Sequence, residues 1–147
     1  MKEYSIIHDT FSLERTYKAS PTRVYAAWSN PASKANWFAK ADEFEFRIGG
    51  QEIIRGGEPG GPVYASIFTF QDIVPDHRIV YTATIDMEEK RISVSVITVE
   101  LKPEGASTKL VYTEQCTFLD GLDSKEAHIE GANDFLDKLE IELEHHN

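Results

Sequence analysis

The chain has 147 residues, 41% of them hydrophobic, with 25 acidic against 15 basic side chains and a formal net charge of −10. That length and composition suit a globular unit around one core. The charge argues against nucleic acid and anionic membrane surfaces as partners, because both call for clustered Lys and Arg.

The first regular pattern is Phe11, Leu13, Arg15 and Tyr17 alternating with Ser12, Glu14, Thr16 and Lys18, the two-residue period of a half-buried strand. Ser20-Pro21 and Asn30-Pro31 each pair a capping side chain with a proline whose missing N–H costs nothing at a helix start. They predict two short helices, the first burying Val24, Ala27 and Trp28 and the second carrying Ala35, Trp37 and Phe38. Strands then dominate. "FEFRI", Gly49-Gly50 and "QEIIR" read as a hairpin, since paired glycines accept the positive φ of a tight turn. Residues 56–62 form a Gly/Pro-rich loop. Strands are expected over 63–74, 78–86, 92–101 and 107–118, joined as an antiparallel meander, with a turn at Pro75-Asp76.

Asp123-Ser124 opens a long final helix, to about Glu144, with Ile129, Ala132, Leu136, Leu139 and Leu143 at helical spacing and Phe135 beside them. Gly131 within it costs roughly 1 kcal/mol relative to alanine, so a close approach to the sheet is expected there. Six or seven antiparallel strands with one long helix must curl, because a flat sheet would leave most of one face bare. A curled sheet gripping a helix encloses a volume.

The stretches "RTYKASPTRVYAAWSNPASKANWF", "FRIGGQ", "GPVYASIFTFQDIVPDHRIVYT", "VITVELKPEGASTKLVYTEQ" and "HIEGANDFLDKL" resemble the START-like (SRPBCC) helix-grip superfamily. Within it they are most similar to the AHSA-type group, homologous to the C-terminal domain of the activator of heat-shock protein 90 ATPase. The resemblance spans nearly the whole chain. It implies an α+β helix-grip fold, a curved antiparallel sheet around a C-terminal helix, occupying residues 1–147 as one domain. Members of this group often carry a tryptophan after the glycine of the last helix; this chain has Ala132, which would enlarge the interior. The superfamily's chemistry is diverse, so the fold by itself names no reaction.

Candidate ligand contacts come from the inward faces. Arg15 and Glu114 both lie on apolar strand faces. In the resembling fold the first and last strands pair antiparallel, and a register matching Phe11 with Phe118 would set Arg15 opposite Glu114. That pair would be either a ligand anchor or a structural ion pair at the cavity edge, unless Arg15 runs outward along its stem. Tyr64, Tyr81 and Tyr112 are candidates to turn hydroxyls inward, the alternative being ordinary core with satisfied tips. Trp37 and Phe38 would close one end. In "ISVSVITVEL" the apolar phase is ambiguous, implying a bulge or two buried faces. The resemblance favours Val99 and Leu101 inward, leaving Ser93 and Ser95 as small inward residues. His128, Ala132 and Phe135 complete the expected lining from the last helix.

A metal site is not expected. His128 and Glu130 do not face each other on a helix, no third ligand is evident, and a site needs three or four. Cys116 reads as an inert buried thiol. As the single cysteine it excludes an internal disulfide and suits a reducing cytoplasm, an expectation joined by the lack of a signal-peptide core or span-length apolar run. The ending "LEHHN" resembles a tag remnant, so His145 and His146 are given no role. The chain thus reads as a binder of a small apolar molecule: lipid-like, aromatic or polyketide-like. No cofactor and no catalytic residue is expected. A polyketide cyclase or dehydratase is the enzymatic alternative, with Glu114 and the tyrosines as its acid–base candidates. A chaperone-activating module is not favoured for a lone domain with no second region to clamp its target. An exposed edge strand could support a homodimer, though nothing in the sequence specifies one.

Overall fold

The computed structural model describes residues 4–145. The elements run β1 (Ile6–Tyr17), α1 (Pro21–Ser29), α2 (Pro31–Trp37), β2 (Glu43–Phe44), β3 (Gln51–Gly56), β4 (Tyr64–Val74), β5 (Arg78–Met87), β6 (Lys90–Glu104), β7 (Ser107–Leu119) and α3 (Lys125–His145). All seven strands join one antiparallel sheet in the order β1-β7-β6-β5-β4-β3-β2. This is the expected helix-grip architecture. No helix among the described residues is long and apolar enough to cross a membrane, and His146 lies outside them.

The two proline-marked helices form as their sequence dictates. Ser20 Oγ accepts the backbone N–H of Arg23 at 3.1 Å, and Asn30 Oδ1 accepts those of Ala32 and Ser33 at 2.9 and 3.2 Å. Each cap thus satisfies donors that a helix start leaves orphaned. Val24, Ala27 and Trp28 are buried as their spacing requires. On α2, however, the buried side chains are Lys34 and Trp37, while Ala35 is exposed. Lys34 Nζ donates to Glu52 Oε1 at 2.7 Å, with both side chains almost wholly enclosed, and lies 4.6 Å from the Phe38 ring centre. Burial draws the Lys34 pKa below its ordinary value, and the charge and hydrogen bond of Glu52 oppose that effect.

The ambiguous phase of β6 is resolved by a bulge. Ile85 pairs with Ser93 and Asp86 with Arg91, leaving Ile92 outside the ladder. Ile92 and Ser93 are consequently both buried, and from there Ser95, Ile97, Val99 and Leu101 alternate inward. A second irregularity sets Gln71 outside the pairing of β4 with β5. Bulges of this kind bend a strand and increase its twist, which suits a sheet curling around α3. The helix runs close to β1, α1 and α2 and buries Ala132, Leu136, Leu139 and Leu143. Each fully buried leucine contributes about 2 kcal/mol.

Two expectations are corrected. The glycines at 49–50 do not close a two-residue hairpin: β2 stops at Phe44 and β3 starts at Gln51. The connecting segment turns onto β4 instead, with Gly49 N donating to Phe70 O at 2.7 Å and Phe70 N to Gly50 O at 3.0 Å. A Cβ on Gly50 would stand 2.2 Å from Glu45 O, so close backbone approach is what this glycine permits. The second correction is the register of β1 on β7. Phe11 pairs with Glu114 and Arg15 with Leu110, because β1 begins at Ile6, opposite Leu119. The strand extends five residues before the apolar alternation that marks it in sequence, and the longer ladder sets a different pairing.

Candidate functional site

Between the N-terminal half of α3 and the inner face of β3–β7 lies a groove of about 370 Å³ that opens to solvent. Its walls are aromatic. Phe38 meets Phe135 at 4.9 Å and Phe68 at 5.7 Å between ring centres, and Tyr112 meets Phe135 at 5.5 Å. Ala83, Ile97 and Ala132 supply smaller apolar surface. Gly131 also lines the groove and has open space where a Cβ would stand. The close approach expected at this glycine is therefore absent; the gap is the cavity.

One polar cluster sits in this wall. Glu114 is 4% exposed. Its Oε1 accepts the Tyr112 hydroxyl at 2.9 Å, and its Oε2 accepts Ser95 Oγ at 3.1 Å and the Cys116 thiol at 3.4 Å. His128 reaches it from α3, with Nδ1 2.5 Å from Glu114 Oε2 and Nε2 2.6 Å from Asp123 Oδ2. A neutral imidazole has one N–H, whereas two carboxylates at both nitrogens call for two. His128 is therefore an imidazolium. Burial lowers its pKa, but the hydrogen bonds and charges of Asp123 and Glu114 dominate and push it up to about 9. The same balance acts in reverse on the acids. Burial raises Glu114 and Asp123, and the bond to and charge of His128 bring both below the ordinary carboxylate range. Burial and the Glu114 charge push the Cys116 thiol up to about 12, so at neutral pH it is a thiol.

Glu114, Cys116 and His128 each place one potential ligand atom within 4.8 Å of the others. The sequence considered His128 with Glu130; the structure gathers His128 with Glu114 and Cys116 instead. As the side chains stand, both ring nitrogens of His128 point at carboxylates and the Cys116 thiol is protonated. The cluster holds a proton between two carboxylates.

Six of the expected contacts line the groove: Phe38, Tyr112, Glu114, His128, Ala132 and Phe135. Ser95 stands behind them, bonded to Glu114. Trp37, Tyr81 and Val99 are buried in the core, and Trp37 Nε1 donates to Ala27 O at 3.0 Å. Tyr64 does not turn inward; at the start of β4 it is 40% exposed. Arg15 does not reach Glu114. It extends to α3, donating to Asn133 Oδ1 at 2.9 Å and Asp137 Oδ1 at 3.1 Å. The expected partner of Glu114 is replaced by His128, and Asp123, read in the sequence only as a helix opening, is the third member. The five-residue separation of Asp123 from His128 carries no local signature; the loop that turns from β7 into α3 makes them meet.

A bent antiparallel sheet, a long helix in its palm and an aromatic groove with one buried polar cluster define a helix-grip protein of the START-like class. The match to the model of the activator of Hsp90 ATPase homolog 1-like proteins covers residues 18–144, and the chain belongs to that family. It is similar over 94% of its length to the Mll3558 protein of Rhizobium loti, at 43% identity, 99% coverage of that chain and a TM-score of 0.90. A Rhizobium leguminosarum protein matches at 39% identity, with 97% and 99% coverage and a TM-score of 0.91. DynU16, a protein of the dynemicin biosynthetic locus, shares the fold at 18% identity and a TM-score of 0.69, over 93% of this chain and 48% of its own. No curated protein matches the chain by sequence.

Proposed function

We propose that this protein binds a small apolar molecule, lipid-like or aromatic, in the groove between α3 and the sheet. The observation that carries the reading is an open aromatic cavity of about 370 Å³ with a single buried polar cluster in its wall. Small-molecule sites are commonly concave, mostly apolar and about 300–1,000 Å³, with few polar groups that fix orientation. Phe38, Phe68 and Phe135 offer ring faces to a flat or chain-like ligand, and Tyr112 with Glu114 offers it one polar end. Titration with the neutral fluorophore N-phenyl-1-naphthylamine tests this. Saturable enhancement that is lost when the groove is filled by substitution supports the reading, and no enhancement at any protein concentration overturns it. Native mass spectrometry of the protein purified from cells would identify a retained compound.

A second reading, an enzyme of the polyketide cyclase or dehydratase type, is favoured by one observation: an ionised histidine held by two carboxylates beside the groove. DynU16, from a biosynthetic locus, shares the fold. In such an enzyme Tyr112 and Glu114 would pass a proton to or from a bound carbonyl compound, and His128 would hold the Glu114 carboxylate in place. Turnover of an aromatic polyketone that survives Glu114→Gln and His128→Gln would exclude this arrangement as its machinery.

A further inference from the structure

Resting on the groove-binding reading, we infer that the site selects its ligand by charge: it takes an apolar molecule ending in a hydroxyl or an ammonium group and rejects carboxylates. The charged side chains lining the groove are Glu114, His128 and Asp134; no Lys or Arg is among them. Behind the wall, Asp123 completes the cluster, so Glu114, His128 and Asp123 together carry one negative charge. The cation in that cluster has no donor to offer, since both His128 N–H groups are directed at carboxylates. The neighbouring hydroxyls of Tyr112 and Ser95 are also directed at Glu114.

A ligand carboxylate in this wall would therefore meet acceptors, not donors. Ser66 supplies a neutral hydroxyl to the lining, which offsets no charge. Lys34 touches Phe38 but does not line the groove, and Glu52 neutralises it. At the mouth, Asp134 is paired with the exposed Lys138 at 3.0 Å, a solvent-screened contact that leaves little positive field inside. A donor meets the opposite situation. Glu114 Oε1 accepts only the Tyr112 hydroxyl among the hydrogen bonds it makes, and a carboxylate oxygen has room for a second. An ammonium group would add charge attraction and sit among aromatic faces that favour cations.

Three naphthalene probes of matched shape test this by isothermal titration calorimetry on the full chain at pH 7: 2-naphthylmethylamine, 2-naphthalenemethanol and 2-naphthoate. The amine and the alcohol are expected to bind, and the carboxylate about tenfold more weakly or worse, given charges a few ångströms apart in a low-dielectric wall. Glu114→Gln should narrow the gap between alcohol and carboxylate. Asp134→Asn, at an exposed position on α3, should narrow it less. Equal or tighter binding of naphthoate by the wild type overturns the charge preference while leaving the groove reading intact. A gap unchanged in both variants overturns it as well. If none of the three probes binds, the groove reading fails and the preference falls with it.

Discussion

Replacing His128 with glutamine removes the positive charge between two carboxylates while keeping a polar side chain of similar reach. In the folded protein the imidazolium pKa is pushed from its ordinary 6.5 to about 9, which corresponds to about 3 kcal/mol of stability. The pKa is raised on folding, so this contribution is fully present below about pH 6.5 and is lost as pH rises through about 9. Wild-type stability should therefore decline across that window, and His128→Gln should lack the decline. At pH 6 the variant should be less stable by about 3 kcal/mol, because Glu114, almost wholly buried, is left without its counter-charge. By pH 10 most of the difference should be gone. Urea unfolding of both proteins at pH 6, 7, 8, 9 and 10 measures it. The groups facing the ring are Glu114, Asp123 and the Phe118 ring at 5.1 Å, and the general repulsion of a net −10 chain grows with pH in both proteins alike. The pH dependence of the difference is thus the readout. Parallel curves for the two proteins between pH 6.5 and 9 would refute the ionised His128 and with it the account of the cluster.

Three further outcomes are expected. Ala132→Trp should abolish binding of N-phenyl-1-naphthylamine, since Ala132 is buried against the groove, and overpacking should cost about 1–3 kcal/mol by thermal denaturation. Lys34→Met should destabilise by about 3–5 kcal/mol, because Glu52 would be left as an uncompensated buried charge; adding Glu52→Gln should recover much of the loss in the same denaturant series. Cys116 should resist a thiol-reactive disulfide reagent in the native state and react promptly in urea, because it is buried and protonated to about pH 12; rapid native labelling would contradict its placement.

The architecture was largely legible because its signals are local. Ser20-Pro21 and Asn30-Pro31 announce helix starts through bonds made within three residues. The Ala132, Leu136, Leu139 and Leu143 stripe follows from helical geometry alone. The groove was half legible. The residues of α3 and Phe38 could be placed, since a helix and its end present predictable faces. Tyr64 could not, because a strand's alternation says which residues share a face but not where the sheet's interior begins. Lys34 was invisible as a core residue: a lysine reads as surface until Glu52, 18 positions away, is brought within 2.7 Å.

What the chain's own pattern determined is the set of elements, their order and the bending of sheet around helix, because hydrophobic periodicity, caps and turns act over a few residues. What only the tertiary structure decided is the chemistry of the groove. The register of β1 on β7 sent Arg15 to Asp137 instead of Glu114, and the turn from β7 into α3 carried Asp123 and His128 onto Glu114. Register is a choice among pairings that differ by whole residues, each consistent with the same alternation, and it is settled by the packing of the entire ladder. The charge on His128 follows from that packing and from nothing local to it.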